Sequence, residues 1–474
     1  METVEEERVV GILHGVAAEL GMPLFEWSVT RGLTKDGGAL GIHSTVEPLA
    51  LLKHLEGLTV EAIFLLKDFV GQLADAGVAR QMRELCERFS HTRSSVVLCG
   101  ATIALPRELD TLAVHYLVRM PEHGELRSVI ETVGRSLGQS GRVKVTLTSD
   151  ELDGLADALS GMTLNQARQA VAYAALEDGC LSAADRKTLL GRKAEKVREG
   201  GLLEYFPAED SRWELGGFAR LKDWLARART GFSSEAQAIG LAPPRGILLV
   251  GVQGCGKSLA AKVIAREWGI PLLKLDAGRL FDKYVGESEK NFRKATELAE
   301  SMAPVVLWID EIEKALVPTG MGEADGGLSR RLFASFLTWL QEKKSEVFVV
   351  ATANDVFVLP PELMRKGRFD EIFFVDLPDP DERRQILKIH LTLRKQDLDA
   401  FDANALVTAT DGMSGAEIEQ AVIAALYRSL HRKAPLDTAG LLEELRATVP
   451  LSVSRREDIS RLRSTAAGRF VPVR

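Results

Sequence analysis

The stretch from Arg245 to Leu259 constrains the fold more strongly than any other part of the sequence. Its residues Gly246 to Val250 are apolar and predict a short buried strand, and Gly251 opens a glycine-rich loop. The loop runs directly into Lys257, Ser258 and an alanine-rich helix. Backbone N–H groups of such a loop, together with the positive end of the helix, bind anionic oxygens. This stretch therefore predicts a phosphate-binding unit of strand, loop and helix within an α/β fold.

Side chains of the same loop indicate a nucleotide with its metal ion. The ammonium group of Lys257 would reach the β- and γ-phosphates, and the hydroxyl of Ser258 would hold Mg²⁺. Cys255 has two interpretations, a redox switch or a small residue that fits between two glycines, and nothing nearby obviously lowers its pKa. The residues of this stretch that we expect to contact the nucleotide are Gly251, Gln253, Gly254, Cys255, Gly256, Lys257, Ser258 and Leu259.

The overall composition is that of a soluble globular protein with more than one domain. The chain has 474 residues, of which 46% are hydrophobic and 27% charged, so two or three domains are expected. A formal net charge of −7 argues against a dedicated nucleic-acid binder. Four cysteines without CxxC spacing favour a reducing compartment. Neither a signal peptide nor an apolar run of membrane-spanning length is evident, so we expect a cytoplasmic protein with no membrane partner.

Two further apolar strands each deliver polar side chains at their ends. The strand Val305 to Ile309 is followed by Asp310 and Glu311, and the next apolar strand is followed by Asn354. After a phosphate loop, such an acidic pair indicates hydrolysis, because Asp310 would orient the Mg²⁺ shell and Glu311 would polarise the attacking water. The amide of Asn354 could donate to the γ-phosphate and hold that water in line. These groups together predict a nucleotide-hydrolysing site.

Two arginines complete the pattern. Arg365 and Arg368 lie in the segment Pro361 to Asp370, and with the preceding motifs they match the AAA family of ring ATPases, which the sequence resembles from residue 213 to about 430. The resemblance implies ATP and Mg²⁺ as cofactors and a P-loop module, in which helices sandwich a parallel sheet and a helical lid follows. It also implies that both arginines act on the nucleotide of a neighbouring subunit.

Further residues are assigned by the same resemblance. It places Leu215, Gly216 and Gly217 against the adenine, and it places Gly415 and Ala416 in the lid position that senses nucleotide. The segment with Tyr284 and Val285 looks like the family's central-pore loop, which can grip an extended polypeptide. Tyr284 could instead pack within its own subunit. Two residues depart from the family's pattern, Glu313 in place of aspartate and Lys366 in place of proline, and we expect Glu313 to be structural.

The first half of the chain repeats parts of the second half. Four short matches fall in one order: 21–27 with 269–275, Arg31 with Arg279, 105–109 with 359–363, and 161–167 with 412–418. Such self-similarity predicts two copies of one module. The first copy begins after the point where its phosphate loop would lie, so we expect it to bind no nucleotide. The alternative is an unrelated α/β domain with chance similarity.

These observations predict four regions along the chain. They are a degenerate module without a phosphate loop at 1–180, a basic linker at 181–212, the ATPase α/β domain at 213–378, and a helical lid with a basic C-terminal tail at 379–474. For the linker, a solvated helix is favoured over a binding patch, and for the tail a solvated or subunit-packing helix is favoured over contact with nucleic acid or an acidic partner. The layout, with the apolar segment Phe64 to Phe69 in its first half, resembles AAA-domain proteins found in cyanobacterial and algal plastid genomes and in other bacteria.

The sequence leaves two functions open. The first is a Mg²⁺-dependent ATPase that forms a ring, of six subunits by family analogy, and pulls a protein substrate or complex through a pore lined by Tyr284. The second is a nucleotide-gated regulatory protein whose degenerate module presents a partner surface while hydrolysis resets the state. An ATPase coupled to nucleic acid ranks below both. The protein substrate itself is not indicated by any of these residues.

Overall fold

Two compact units make up the chain in the computed structural model. One contains residues 1–142 and 162–173, and the other contains residues 143–161 and 174–474. The structure describes residues 1–3, 5–35, 38, 41–116, 118–139, 141, 143–199, 201–208, 214–276, 287–315, 328–365 and 367–474. Each unit is built on a largely parallel sheet with helices, which confirms the predicted α/β class.

The first unit has a four-stranded sheet in the order β2-β1-β3-β4. Its strands are Leu24–Ser28 (β1), Gly32–Lys35 (β2), Ile63–Lys67 (β3) and Ser95–Cys99 (β4). Its helices are Glu6–Leu20 (α1), Pro48–Gly57 (α2), Ala76–Phe89 (α3), Arg107–Asp110 (α4) and His123–Gln139 (α5). Strands β1, β3 and β4 are parallel and β2 is antiparallel to β1. The central strand β3 is buried at four of its five positions, as a strand covered on both faces requires.

The second unit has a seven-stranded sheet in the order β13-β12-β8-β11-β10-β9-β7. Its strands are Leu203–Phe206 (β7), Gly246–Gly251 (β8), Leu272–Leu275 (β9), Val305–Ile309 (β10), Val347–Ala353 (β11), Glu371–Val375 (β12) and Val471–Pro472 (β13), and a separate pair is Lys144–Val145 (β5) with Cys180–Leu181 (β6). All strands of the large sheet run parallel except β7. Strands β8, β10 and β11 are buried at every position, so the sheet is covered by helices on both faces.

Helices of this unit precede, cover and follow the sheet. They are Ser149–Leu159 (α6), Leu164–Asp178 (α7, whose first part belongs to the first unit), Arg186–Glu199 (α8), Ala219–Arg229 (α9), Ser234–Ala238 (α10), Lys257–Trp268 (α11), Glu287–Ser301 (α12) and Leu328–Glu342 (α13). The lid helices are Pro380–Thr392 (α14), Ala403–Ala409 (α15), Gly415–Arg432 (α16) and Thr438–Ala447 (α17). Leu451–Ser454 (α18) and Arg456–Ala466 (α19) follow the lid.

The lid has its own hydrophobic core and well-defined helix starts. Its core includes Leu387, Leu406 and Leu441, all fully buried. Capping boxes begin two of its helices, at Asp379 for α14 and at Ser414 for α16, where each side chain accepts a hydrogen bond from the helix backbone. These caps fix where each helix begins at the mouth of the site described below.

The basic linker region belongs to the second unit and packs against the rest of it on one face. In α8, Leu189, Lys193 and Val197 recur every four residues and are buried. The Lys193 ammonium lies 5.3 Å from the centroid of the Tyr205 ring, and burial lowers its pKa to about 8. A fully solvated linker helix was therefore the wrong expectation for this face, because the aliphatic stem of a lysine can pack like an apolar side chain.

The C-terminal tail is packed as well. Helix α19 buries Ile459, Leu462 and Ala466 in the two cores that flank the large sheet. Beyond it, the chain adds β13 to the edge of that sheet, parallel to β12. The tail therefore returns to the sheet, and a solvated helix does not describe it.

The two units share a local architecture. In both, a helix ends at a glycine in the left-handed conformation, Gly21 with φ 64° and Gly269 with φ 71°. A parallel strand then follows, and the carbonyl of Pro23 or Pro271 accepts a hydrogen bond from the next parallel strand. The order β1-β3-β4 repeats the order β9-β10-β11. This agreement supports two copies of one module over a chance similarity.

The first unit differs from the second at the position of the acidic pair. Asp68 follows β3 with φ 50°, and Glu311 follows β10 with φ 50°. Lys67 therefore takes the place of Asp310, and it forms an ion pair of 2.9 Å with Glu26. An ammonium group at that position opposes a metal cation, which supports the expectation that the first copy binds no nucleotide.

Candidate nucleotide site

The phosphate loop is shaped by glycines in backbone conformations that other residues rarely adopt. At Gly251, φ is 146° and a Cβ atom would lie 2.0 Å from the carbonyl oxygen of Val375. At Gly256, φ is 90°, and this residue is the N-cap of α11. Because glycine has no side chain to cap the helix, the first N–H groups of α11 are left to a bound anion.

Lys257 lies inside the loop. Its ammonium donates hydrogen bonds to the carbonyls of Gly251 at 2.8 Å and Val252 at 2.7 Å. The residue is 5% exposed, and burial lowers its pKa to about 8. A cation that has lost most of its water gains strongly from an anionic ligand, so the position favours a phosphate group.

Three side-chain oxygens converge beside the loop. The Ser258 hydroxyl donates to Asp310 Oδ1 at 2.9 Å, and the Thr352 hydroxyl donates to the same oxygen at 2.7 Å. Hydroxyl and carboxylate oxygens are ligands that Mg²⁺ accepts, so Ser258 and Asp310 fit the predicted metal site. Sequence reasoning missed Thr352, which is 1% exposed. The contact follows from the strand register, because Ile309 pairs with Ala351 and Asp310 and Thr352 are the residues that come next on the two strands.

Glu311 and Asn354 belong to one hydrogen-bonded network. Asn354 Nδ2 donates to Glu311 Oε1 at 2.9 Å, and the Glu311 N–H donates to the Thr352 hydroxyl at 3.0 Å. Glu311 has φ 50°, a conformation that costs a non-glycine residue energy. The backbone of Glu311 is therefore strained, and the network holds its carboxylate at the end of β10, beside the predicted metal ligands.

Glu313 also contributes to this hydrogen-bonded network. Its Oε1 accepts a hydrogen bond from the Asn354 N–H at 2.9 Å, and the residue is 8% exposed. Its Oε2 is buried without a partner among the described residues. Burial raises the pKa of this carboxyl group. The sequence predicts a structural role for Glu313. Its hydrogen bond with the Asn354 N–H is consistent with that role, because it positions the backbone of the asparagine.

Most of these residues line one cavity of about 640 Å³ in the second unit, but Gly251 and Glu313 are not among its lining residues. A cavity of that size suits a nucleotide. The predicted residues along its wall are Leu215, Gly216, Gln253, Gly254, Cys255, Gly256, Lys257, Ser258, Leu259, Asp310, Glu311, Asn354, Gly415 and Ala416. The lid is tied to the loop, because the Ala416 N–H donates to the Gly254 carbonyl at 3.0 Å.

Residues of the first lid helix also line this cavity and were not predicted. Ile386 and His390 lie on one face of α14, four residues apart, beside Glu419 of α16. His390 Nδ1 is 3.5 Å from Glu419 Oε1. Burial lowers the pKa of His390, although Glu419 opposes the change. The i, i+4 spacing was visible in the sequence, but which face of α14 points to the site depends on the lid's packing.

Cys255 resembles a structural residue more than a redox switch. Its thiol is buried and donates a weak hydrogen bond to the Gln253 carbonyl at 3.6 Å. Burial raises its pKa to about 12, although Lys257 opposes this change. The thiolate is the reactive form of cysteine. A thiol that stays protonated at neutral pH favours the interpretation of a small residue that fits the loop.

The two arginines lie away from the cavity. Arg365 is exposed and Arg368 is half-buried, and Arg368 Nη1 donates to the Glu362 carbonyl. Neither residue lines the cavity of its own chain. Tyr284 and Val285 lie outside the described residues, as do Arg279 and Lys366.

Comparison with known proteins agrees with this geometry. Residues 247–377 match the ATPase family associated with various cellular activities (AAA). The AAA domain-containing protein ycf46 of Trieres chinensis is 36% identical over 471 residues, covering 98% of this chain and 93% of the relative. The chain belongs to the AAA ATPase family. Its similarity to the ycf46 proteins confirms the resemblance to AAA-domain proteins of plastid genomes.

Other matches refine the position of the chain among AAA ATPases. Residues 1–117 match the N-terminal domain of SpoVK-like AAA ATPases, and residues 124–200 match their second domain. The proteasome-activating nucleotidase of Pyrococcus horikoshii is 36% identical over 188 residues, which is 39% of this chain and 46% of that protein. The cell division cycle protein 48 homolog of Archaeoglobus fulgidus is 36% identical over 214 residues, 44% of this chain and 29% of the relative. Within the described ranges, no helix combines the length and apolarity that crossing a bilayer demands.

Proposed function

We propose that this AAA ATPase hydrolyses ATP in a Mg²⁺-dependent reaction, forms a ring, and uses the reaction to remodel or thread a protein substrate. The observation that carries the proposal is the network of Ser258, Asp310, Thr352, Glu311 and Asn354 beside the phosphate loop. It brings two hydroxyls, two carboxylates and an amide together beside the phosphate loop. That set can hold a metal, activate a water and contact a γ-phosphate.

Each residue has a distinct task in this proposal. Lys257 and the N–H groups of the loop bind the phosphates, and Ser258 and Asp310 hold Mg²⁺, which when bound would neutralise phosphate charge. Glu311 Oε1 accepts a proton from the attacking water, while the Asn354 amide that contacts this oxygen aligns the water. Leu215, Gly216 and the lid close over the adenosine.

Thr352 is proposed to position both acidic residues. Replacing Thr352 with valine removes the donor to Asp310 and the acceptor for the Glu311 N–H. We expect ATP hydrolysis to fall by about 10–100-fold, as for other partners of metal ligands, and the Mg²⁺ concentration for half-maximal turnover to rise. Steady-state hydrolysis over a Mg²⁺ titration measures both. Thr352→Ser keeps the hydroxyl and should retain most of the activity, and equal losses in the two variants would contradict the role.

Ring assembly is supported by the position of the arginines. Because Arg365 and Arg368 lie outside the cavity of their own chain, a second subunit must supply the nucleotide on which they act. Remodelling through a pore rests on the resemblance of Tyr284 and Val285 to a pore loop. The alternative is a nucleotide-gated regulator, in which the first unit presents a partner surface and hydrolysis resets the state.

The mass of Glu311→Gln protein in solution tests the proposal. Loss of the carboxylate should trap ATP in the site, since the amide cannot take a proton from water. With Mg²⁺ and ATP we expect a mass near six times that of the monomer, and a smaller mass without nucleotide. Glu342→Gln, an exposed change in the same unit, is the matched control and should turn over ATP normally. A monomer under all conditions would leave the arginines without a target and favour the regulator.

A further inference from the structure

We infer that the strand β13 and the two residues after it, Val473 and Arg474, form part of the adenosine end of the nucleotide pocket. They act as positioning residues for the segment Leu215 to Phe218, which closes over the base. The inference rests on the proposed ATP binding. Pro472, Val473 and Arg474 line the same cavity as Leu215, Gly216 and Phe218.

The tail is joined firmly to the sheet. Val471 and Pro472 pair in parallel with Phe373 and Phe374 of β12, and the Val473 N–H donates to the Phe374 carbonyl at 3.2 Å. Val473 is 5% exposed and packs in the core that also contains Phe218. This short strand therefore has a fixed register, and the residues after it have a fixed place at the pocket.

The Val473 carbonyl caps the helix that follows the base-binding segment. It accepts hydrogen bonds from the N–H groups of Arg220 at 3.0 Å and Leu221 at 3.2 Å, in the first turn of α9. The N-cap residue of that helix is Phe218, which has φ 60° and makes no side-chain cap. A helix start needs acceptors for its first N–H groups. The tail supplies one that the local sequence lacks, and it thereby fixes Phe218.

The same segment is held from the other side by the lid. The Gly217 N–H donates to Gln385 Oε1 at 2.8 Å, and the Phe218 N–H lies 3.5 Å from Glu382 Oε1. A Cβ atom at Gly217 would be 2.4 Å from Glu382 Oε1. The base-binding segment is thus clamped between helix α14 and the tail.

Arg474 joins the tail to the lid. Its guanidinium lies 3.6 Å from Asp376 Oδ2 and 3.9 Å from both Asp379 Oδ2 and Glu382 Oε2. Arg463 forms a second pair with Asp376 at 2.9 Å. Three carboxylates therefore meet two cations where α14 begins. The Arg474 side chain is 43% exposed, so water screens its attraction and its own contribution is smaller than that of the Val473 carbonyl.

Binding of ATP compared with inorganic tripolyphosphate, both with Mg²⁺, tests the inference. The phosphate loop can bind either ligand, but only ATP uses the segment Leu215 to Phe218. Deleting residues 471–474 should weaken ATP binding at least tenfold and leave tripolyphosphate binding unchanged. Arg474→Ala should weaken ATP binding severalfold, and Arg474→Lys should restore it. Arg469→Ala, an exposed change in the same tail, is the control for loss of charge.

The outcomes separate the inference from the proposed function. Wild-type protein that binds no ATP would overturn the proposed function and the inference together. Wild-type protein that binds ATP, with a deletion variant of equal affinity, would overturn the inference alone. Equal losses for ATP and tripolyphosphate would also overturn it, because they would mean that the tail only supports folding. Arg474→Ala keeps the backbone of β13 intact and provides the same comparison if the deletion variant does not fold.

Discussion

Replacing Arg368 with alanine is expected to lower ATP hydrolysis by about a thousandfold or more and to leave ATP affinity unchanged. An arginine supplied to a neighbour's nucleotide stabilises charge that develops on the transferred phosphoryl group, which the bound substrate does not yet carry. Arg368 lies outside the cavity of its own chain, as the proposed role between subunits requires. Hydrolysis and the binding of a fluorescent ATP analogue are measured on the same preparation.

Mixing two inactive variants provides the sharper test of Arg368. Subunits with Arg368→Ala keep an intact site, whereas subunits with Lys257→Ala keep the arginine. If the arginine acts between subunits, mixed rings should regain part of the hydrolysis rate. Arg446→Ala, an exposed change on the lid, should have the wild-type rate. Hydrolysis at the wild-type rate in Arg368→Ala would exclude it from the site.

Lys257→Ala is expected to abolish ATP binding over the micromolar range. The ammonium is buried and is the cation that the loop itself provides. Removing one partner of a buried, hydrogen-bonded charge pair costs about 2–5 kcal/mol, which corresponds to roughly 30-fold to several thousand-fold in affinity. Isothermal titration with ATP and Mg²⁺ measures the loss. Lys344→Ala, an exposed lysine of the same unit, is the control, and unchanged affinity in Lys257→Ala would refute the phosphate-loop assignment.

Much of the site was predictable because its parts are local in sequence. A phosphate loop consists of a strand, a turn and the start of a helix, which follow one another in sequence. The residues from Gly251 to Ser258 are therefore enough to predict it. Asp310 and Glu311 are equally local, since they follow an apolar run directly. The parallel sheet follows from fully apolar strands that alternate with helices.

What the sequence did not reveal depends on contacts between distant segments. Thr352 meets Asp310 only because β10 and β11 pair in one particular register. Val473 caps α9 although some 250 residues separate the two in sequence. No local sequence pattern predicts such a contact. The sequence predicts Lys193 to be one of the charged residues of a basic helix, but the packing of α8 buries it in the second unit. In each case, tertiary packing decided which groups a side chain meets.

The return of the tail to the sheet has a mechanical consequence for the lid. The chain leaves the sheet after β12 to build the lid and comes back as β13, the immediate neighbour of β12. The lid is therefore an insertion with both ends anchored on one edge of the sheet. The second connection, at 448–450, leads to β13 through α18 and α19, which pack in the cores that flank the sheet. We therefore expect the connections at 376–379 and 448–450 to bend together when the lid turns. Such a double anchor transmits torque where a single hinge would allow the lid to swing freely.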